Sequence, residues 1–155
     1  MTPRIAHHEA NKGLLDGLLK TELYLKRSGL DHKIQELVRY RVSQINGCAY
    51  CLDMHHKDAI HMGETEARLY SLPAWRETPY YSEQERAALA FAEALTNTNQ
   101  HHLSEEVFNN VAAHFSKAEI ADLTLAIAQI NSWNRLNIAF GSVPGNYQPA
   151  AQHNA

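Results

Sequence analysis

Apolar positions recur at helical spacing along most of this chain, and no stretch alternates apolar and polar residues as a half-buried strand would. Residues 7–25 place Leu14, Leu15, Leu18, Leu19 and Leu23 on one face, predicting an amphipathic first helix that Gly13 and Gly17 weaken. Asp31 is positioned to cap a second helix carrying Ile34, Leu37, Val38, Val42 and Ile45 and ending at the turn pair Asn46-Gly47. A third helix follows at once and stops near Gly63, and a short one spans Glu64 to Leu72. Leu72-Pro73 and Thr78-Pro79, with Trp75, Tyr80 and Tyr81, mark an irregular connection. Ser82 and Glu85 form a capping box ahead of Ala88, Phe91, Ala92 and Leu95. Ser104, followed by Glu105 and Glu106, opens another short helix. Ser116 and Glu119 cap a long helix through Ile120, Leu123, Ile127 and Ile130 to Gly141. The pattern predicts an all-α bundle, a single domain over residues 1–143, with a polar tail over 144–155 expected to be loose.

A chain of 155 residues is long enough to bury roughly 70% of its unfolded surface in one core without staples. Its formal charge of −3, with basic residues scattered, supplies no patch for nucleic acid. The N-terminus has no continuous apolar core of a signal peptide. No stretch approaches the ~20 apolar residues a membrane helix needs, so a soluble, cytoplasmic protein is expected. In that reducing compartment a disulfide would be transient and catalytic, which directs attention to the cysteines.

Both cysteines fall in one motif, Cys48-Ala-Tyr-Cys51-Leu-Asp-Met-His55. If Gly47 ends one helix, Cys48 lies at the N-terminus of the next, where free backbone N–H groups and the helix dipole favour a thiolate. Cys48, Cys51 and His55 then share one stripe, extended by Ala59 and Met62, and His55 points toward packed apolar surface while His56 and His61 point elsewhere. A redox pair, half a metal site and two small buried residues all fit a CxxC. A closed zinc site needs four ligands; Cys48, Cys51 and His55 supply three, leaving the fourth to Glu36 or to another subunit. The residues alone leave the nucleophile open, since the helix N-terminus favours Cys48 and proximity to His55 favours Cys51. Glu36 sits roughly opposite the Ile34/Val38/Ile45 stripe and reads as a solvated carboxylate, unless a second packed face makes it a partner for His55. His101 and His102 read as exposed loop residues, and Trp133 and Arg135 as packing or interface residues.

The run Glu36-Leu-Val-Arg-Tyr-Arg-Val-Ser-Gln-Ile-Asn-Gly-Cys48-Ala-Tyr-Cys51-Leu-Asp-Met-His55 resembles the core of the AhpD-like alkylhydroperoxidases, within the carboxymuconolactone decarboxylase superfamily. Glu85 to Leu95 and Asn131-Ser-Trp-Asn-Arg-Leu136 are also similar to that family, so the resemblance covers roughly residues 30–141. The decarboxylase branch lacks the CxxC, which makes ring-opening chemistry the poorer expectation. The resemblance implies an AhpD-like helical bundle and a thiol peroxidase or disulfide oxidoreductase serving antioxidant defence. Cys51 would be the peroxidatic thiolate and Cys48 the resolving thiol, with His55 and Glu36 in the proton relay. Well-studied peroxidases of this kind carry a second histidine between the cysteines, where this chain has Tyr50; a phenol with a pKa near about 10 donates a hydrogen bond but is a poor base. The partners implied are a hydroperoxide, an external dithiol or disulfide reductase, and further copies of the chain, a hexamer being favoured. The Leu72–Tyr81 connection and the long last helix would supply the apolar surface for assembly. No metal, flavin or haem is required. The alternatives are a disulfide reductase or small-molecule binding protein of the same fold, and a structural zinc protein.

Overall fold

Seven α-helices make up the fold in the computed structural model, which describes residues 1–149. They are α1 (Asp16–Leu25), α2 (His32–Asn46), α3 (Ala49–His61), α4 (Glu66–Ser71), α5 (Glu83–Thr96), α6 (Glu105–His114) and α7 (Lys117–Phe140). The described residues include no strand, and no helix among them is long and apolar enough to cross a membrane.

Local chemistry sets most of the boundaries. The Asp31 carboxylate accepts from the backbone N–H groups of Lys33 and Ile34 at the start of α2. Ser82 with Glu85 and Ser116 with Glu119 close reciprocal capping boxes on α5 and α7. Gly47 ends α2 with φ of +68°, in the left-handed region that a side chain disfavours, so the chain turns sharply into α3 within one residue.

The first helix is shorter than its periodicity predicts. A single 3-10 turn, His7–Glu9, stands apart, and α1 begins only at Asp16 because Gly13 takes a φ of +87°. The irregular connection contains a 3-10 segment, Leu72–Glu77. Most of its apolar residues pack inward: Leu72, Trp75 and Tyr81 are buried within the chain and Tyr80 is exposed, so this connection offers less free apolar surface than expected. The large exposed apolar side chains lie mainly elsewhere, on α1 at Leu19, Leu23 and Tyr24 and on α7 at Leu125 and Ile138. Part of the segment expected to be loose is tied down. Gly145 and Tyr147 are hydrogen-bonded to α3, while residues 150–155 lie outside the described residues.

Helix α2 is the centre of the bundle, packed by α3, α5 and α7. Ile34, Val38 and Val42 join Phe91 of α5, Val111 of α6 and Leu123, Ile127 and Ile130 of α7 in the larger core. Leu37 faces a second cluster formed by Ala59, Leu69, Leu72, Trp75, Tyr81 and Leu89. Because α2 is covered on both sides, a residue outside its main apolar stripe can still be buried, and this decides the fate of Glu36.

Candidate active site

The cysteine motif sits where α2 hands over to α3. Cys48 is the N-cap of α3, its Sγ accepting the backbone N–H of Cys51 at 3.3 Å, and the two cysteines are joined in a disulfide with Cα atoms 5.3 Å apart. Cys51, His55 and Ala59 form the buried face of α3, so the expected stripe is present, and Cys48 is also buried. A polar seam fixes this junction against α7. Asn46 donates to the side-chain oxygens of Asn131 at 3.0 Å and Asn134 at 2.8 Å, and Asn134 donates to Ser43 at 3.0 Å. Amides paired across a packed seam, with Asn134 and Ser43 buried, favour one geometry, because a shift would leave a buried polar group unsatisfied.

Glu36 is not a solvated carboxylate. It is 4% exposed and lies against His55 Nδ1, a buried partner nineteen residues further along the chain, with Arg39 3.7 Å from its other oxygen. Burial pushes the carboxyl up, yet the charge and hydrogen bond of His55, together with Arg39, outweigh it and hold Glu36 below the usual carboxylate range. The carboxylate is therefore ionised and only accepts, which places the Nδ1 proton on His55 pointing at Glu36. The opposite nitrogen, Nε2, is buried and has no hydrogen-bond partner among the described residues. An orphaned basic nitrogen one helical turn from a cysteine is unusual in a packed interior, where polar atoms are nearly always paired.

Cys51 and His55 open onto a cavity of about 390 Å³, walled by Met54, Ile130, Trp133, Tyr50 and Tyr147 among others. Trp133, expected as a packing or interface residue, does pack against the larger core; its indole N–H also donates to Glu22 at 2.9 Å, and Glu22 in turn pairs with Arg39 at 3.0 Å. A continuous polar chain thus runs Trp133–Glu22–Arg39–Glu36–His55, all but Glu36 bordering the cavity. Glu22 and Arg39 carried no distinguishing signal in the sequence. Asp58 was also missed, although it lies three residues after His55 on α3; both of its oxygens accept from the Tyr147 hydroxyl, at 2.8 and 3.0 Å. Tyr50 lies between the cysteines at the same cavity, half-buried. His101 and His102 are exposed and distant in role, and His56 pairs with Glu66 at 2.8 Å.

Among the described residues, the histidine and acidic groups that come close enough to share an ion are Glu36, His55 and Asp58, with ligand atoms within 4.8 Å of one another. They already have partners, Glu36 in His55 and Arg39 and Asp58 in Tyr147. With the two sulfurs bonded to each other, neither is a thiolate ligand in this form, which removes two of the four groups a zinc site would draw on.

A helical domain that sets a CxxC at a helix N-terminus beside a buried carboxylate–imidazole pair defines the AhpD-like class. The chain belongs to the carboxymuconolactone decarboxylase family, whose model matches residues 12–94. The uncharacterized protein YdfG of Bacillus subtilis is 42% identical over 142 residues, covering 92% of this chain and 97% of that protein. Among solved structures, a protein of unknown function from Agrobacterium tumefaciens, suggested to be the antioxidant defence protein AhpD, is 38% identical with a TM-score of 0.90, covering 94% of this chain and all of that one. The fold also extends to a variant of the debrominase Bmp8 solved with 2,3,4-tribromopyrrole, 23% identical with a TM-score of 0.77 over 88% of this chain and 73% of that one.

Proposed function

We propose that the protein is a thiol-dependent peroxidase in which Cys51 attacks the hydroperoxide and Cys48 resolves the product. The observation that carries this reading is the His55 ring, which turns Nδ1 to Glu36, has no hydrogen-bond partner for Nε2 among the described residues, and borders the same cavity as Cys51. In the reduced protein, His55 Nε2 takes the proton of the Cys51 thiol. The thiolate attacks the distal peroxide oxygen and the O–O bond breaks, leaving a Cys51 sulfenic acid and an alkoxide that receives the proton from His55 as it departs as the alcohol. The Cys48 sulfur then attacks Cys51, forming the disulfide and releasing water. An external dithiol returns both sulfurs to the thiol state by exchange, completing a ping-pong cycle in a reducing compartment. Tyr50, with a hydroxyl in place of a second imidazole, contributes a hydrogen bond at the cavity rather than a base.

A disulfide reductase that never meets peroxide would use the same cysteines, and the two functions separate at the first step. Peroxide added to the reduced protein should consume both thiols. Cys48→Ser should stop after one oxidation, with Cys51 trapped as a sulfenic acid that a dimedone-type probe labels, and Cys51→Ser should abolish peroxide consumption. Full turnover by Cys51→Ser with loss in Cys48→Ser would reverse the roles, and indifference of both would end the redox reading itself. Stoichiometric zinc protecting both thiols from alkylation would overturn both. Light scattering tests the expected homo-oligomer, favoured as a hexamer, against a 17.5 kDa monomer.

A further inference from the structure

Beyond Gly141 the described residues, 142–149, form no regular secondary structure, yet they stay against the molecule. Gly141 takes a φ of +65° and the Ser142 N–H bonds back to Asn137 O at 3.0 Å, reversing the chain so that residues 145–147 return across α3. Three residues of α3 receive it. The Gly145 N–H donates to Asp53 at 3.0 Å, and the Lys57 ammonium, itself 2.9 Å from Asp53, donates to the carbonyls of Gly145 and Tyr147 at 3.1 Å each. The Tyr147 hydroxyl reaches Asp58. Backbone docking at Asp53 and Lys57 suffices to fasten a tail. It does not require a carboxylate in a half-buried position with both oxygens turned to one phenol.

The placement of that phenol gives the contact a purpose. Tyr147 borders the cavity that holds Cys51 and His55, and it comes from a part of the chain far in sequence from α3, which carries both of them. The Asp58 carboxyl is pushed up by burial, so its charge is costly where it stands, and the tyrosine hydroxyl is its principal compensation. Tyr147 in turn is held protonated, since burial and its bond to Asp58 both raise it, and it remains a donor at any physiological pH.

We propose that Tyr147, held by Asp58, is the specificity-determining wall of this cavity: it confines what can approach Cys51 and gives a bulky apolar substrate a surface to pack against. The preference among hydroperoxides rests on the peroxidase reading; the confinement of Cys51 does not, and the two are measured separately.

In the reduced protein, the rate of Cys51 alkylation is followed by peptide mapping with iodoacetamide and with the much larger pyrene maleimide, and the ratio of the two rates cancels any change in thiol reactivity. Removing the wall in Tyr147→Ala should raise the bulky-to-small ratio about tenfold, the scale of one pocket contact. Tyr147→Phe and Asp58→Ala, which keep the ring but lose its anchor, should raise it about threefold, the worth of one hydrogen bond. Asp58→Asn, whose side-chain oxygen still accepts from the phenol, should restore the wild-type ratio to within about twofold. Ratios indistinguishable from wild type in Tyr147→Ala, or an Asp58→Asn no better than Asp58→Ala, would overturn the proposal. Steady-state kinetics supply the second readout: KM for cumene hydroperoxide should rise about tenfold in Tyr147→Ala, several times more than KM for hydrogen peroxide, with kcat moving less than KM. Equal shifts for both peroxides would overturn the selectivity. A wild type that turns over neither peroxide would overturn the peroxidase reading instead, and the alkylation ratios would still decide whether Tyr147 confines the site. Tyr147→Phe retains the ring volume, so a folding defect confined to Tyr147→Ala does not remove the test.

Discussion

Glu36 and Glu93 are both shielded carboxylates with their pKa held below the usual range, yet they occupy opposite kinds of environment. Glu93 accepts from the Trp75 indole at 2.9 Å and from Arg41 at 2.8 Å through one oxygen, and from Arg76 at 2.7 Å through the other. The Arg76 guanidinium also stacks 4.0 Å from the Trp75 ring centre. Every donor around Glu93 keeps its proton at all accessible pH values, so the cluster has one protonation state and nothing left to exchange. Glu36 has one arginine at longer range, and its close partner is an imidazole whose second nitrogen has no partner among the described residues. A buried carboxylate surrounded by fixed cations is a clamp. The same group beside a titratable ring whose second nitrogen has no partner among the described residues has the arrangement that a proton relay requires, the role proposed for it above.

If that contrast holds, damage on the two sides should differ in kind. The largest effect on chemistry belongs to His55→Ala. It should slow oxidation of Cys51 by about 10²-fold or more near neutral pH, the scale of a lost general base, with partial recovery as bulk solvent ionises the thiol above about pH 8.5. Stopped-flow peroxide kinetics against pH would show it, and a pH-independent loss would mean that His55 packs rather than transfers protons. Glu93→Ala should leave Arg41 and the Trp75 indole without their carboxylate partner and cost about 1–3 kcal/mol, read as a lower urea midpoint. Its rate of Cys51 oxidation per folded molecule should match wild type. Glu36→Gln should slow oxidation by about tenfold, as removal of a group that orients a working imidazole does, and act in the same direction as His55→Ala.

Acid sharpens the comparison further. Both carboxyls titrate lower in the folded chain than in the unfolded one, so in the interval between the two values the unfolded chain binds more protons. Their contribution to stability is complete above the ordinary glutamate value of about 4.3 and is lost as pH falls through the folded values. Glu36→Gln and Glu93→Gln should each flatten the acid limb of a plot of stability against pH. Asp58 has the opposite sign. Its raised pKa penalises the ionised folded form, so stability from this group is lost as pH rises through the folded value. Asp58→Asn should therefore stabilise the protein slightly at pH 7, by under about 1 kcal/mol for a half-exposed group. A thermal melt in which Asp58→Asn unfolds earlier than wild type at pH 7 would reverse that assignment.

Much of the scaffold was legible because its signals are local. Asp31, Ser82, Ser116, Gly47 and Gly141 each act on backbone within four residues, and the structure uses them at the expected helix ends. The start of α1 was misjudged because leucine spacing carries no information about the φ of Gly13. The cysteine stripe was legible for the same local reason, as i, i+4 spacing on one helix. Glu36 was not legible from periodicity alone, since a single-face reading of α2 cannot register a second helix packed on the other side; the family resemblance supplied the pairing with His55. Asp58 and Tyr147 meet across 89 positions of sequence, and Glu22 meets Trp133 across 111. No periodicity links such pairs. Asp58 had one usable cue, its place one turn beyond His55, and Tyr147 had none.

The two tryptophans stand on opposite sides of the comparison drawn above, which makes the molecule its own optical instrument. Trp133 borders the cavity that contains Cys51, whereas Trp75 is held in the Glu93 clamp with the Arg76 guanidinium over its ring. Disulfides quench nearby indole emission by accepting an electron from the excited ring, so opening the Cys48–Cys51 bond should brighten Trp133 and leave Trp75 as a constant background. Replacing Trp75 with phenylalanine would isolate the reporting signal, and the redox state of the site could then be followed in real time without any added dye.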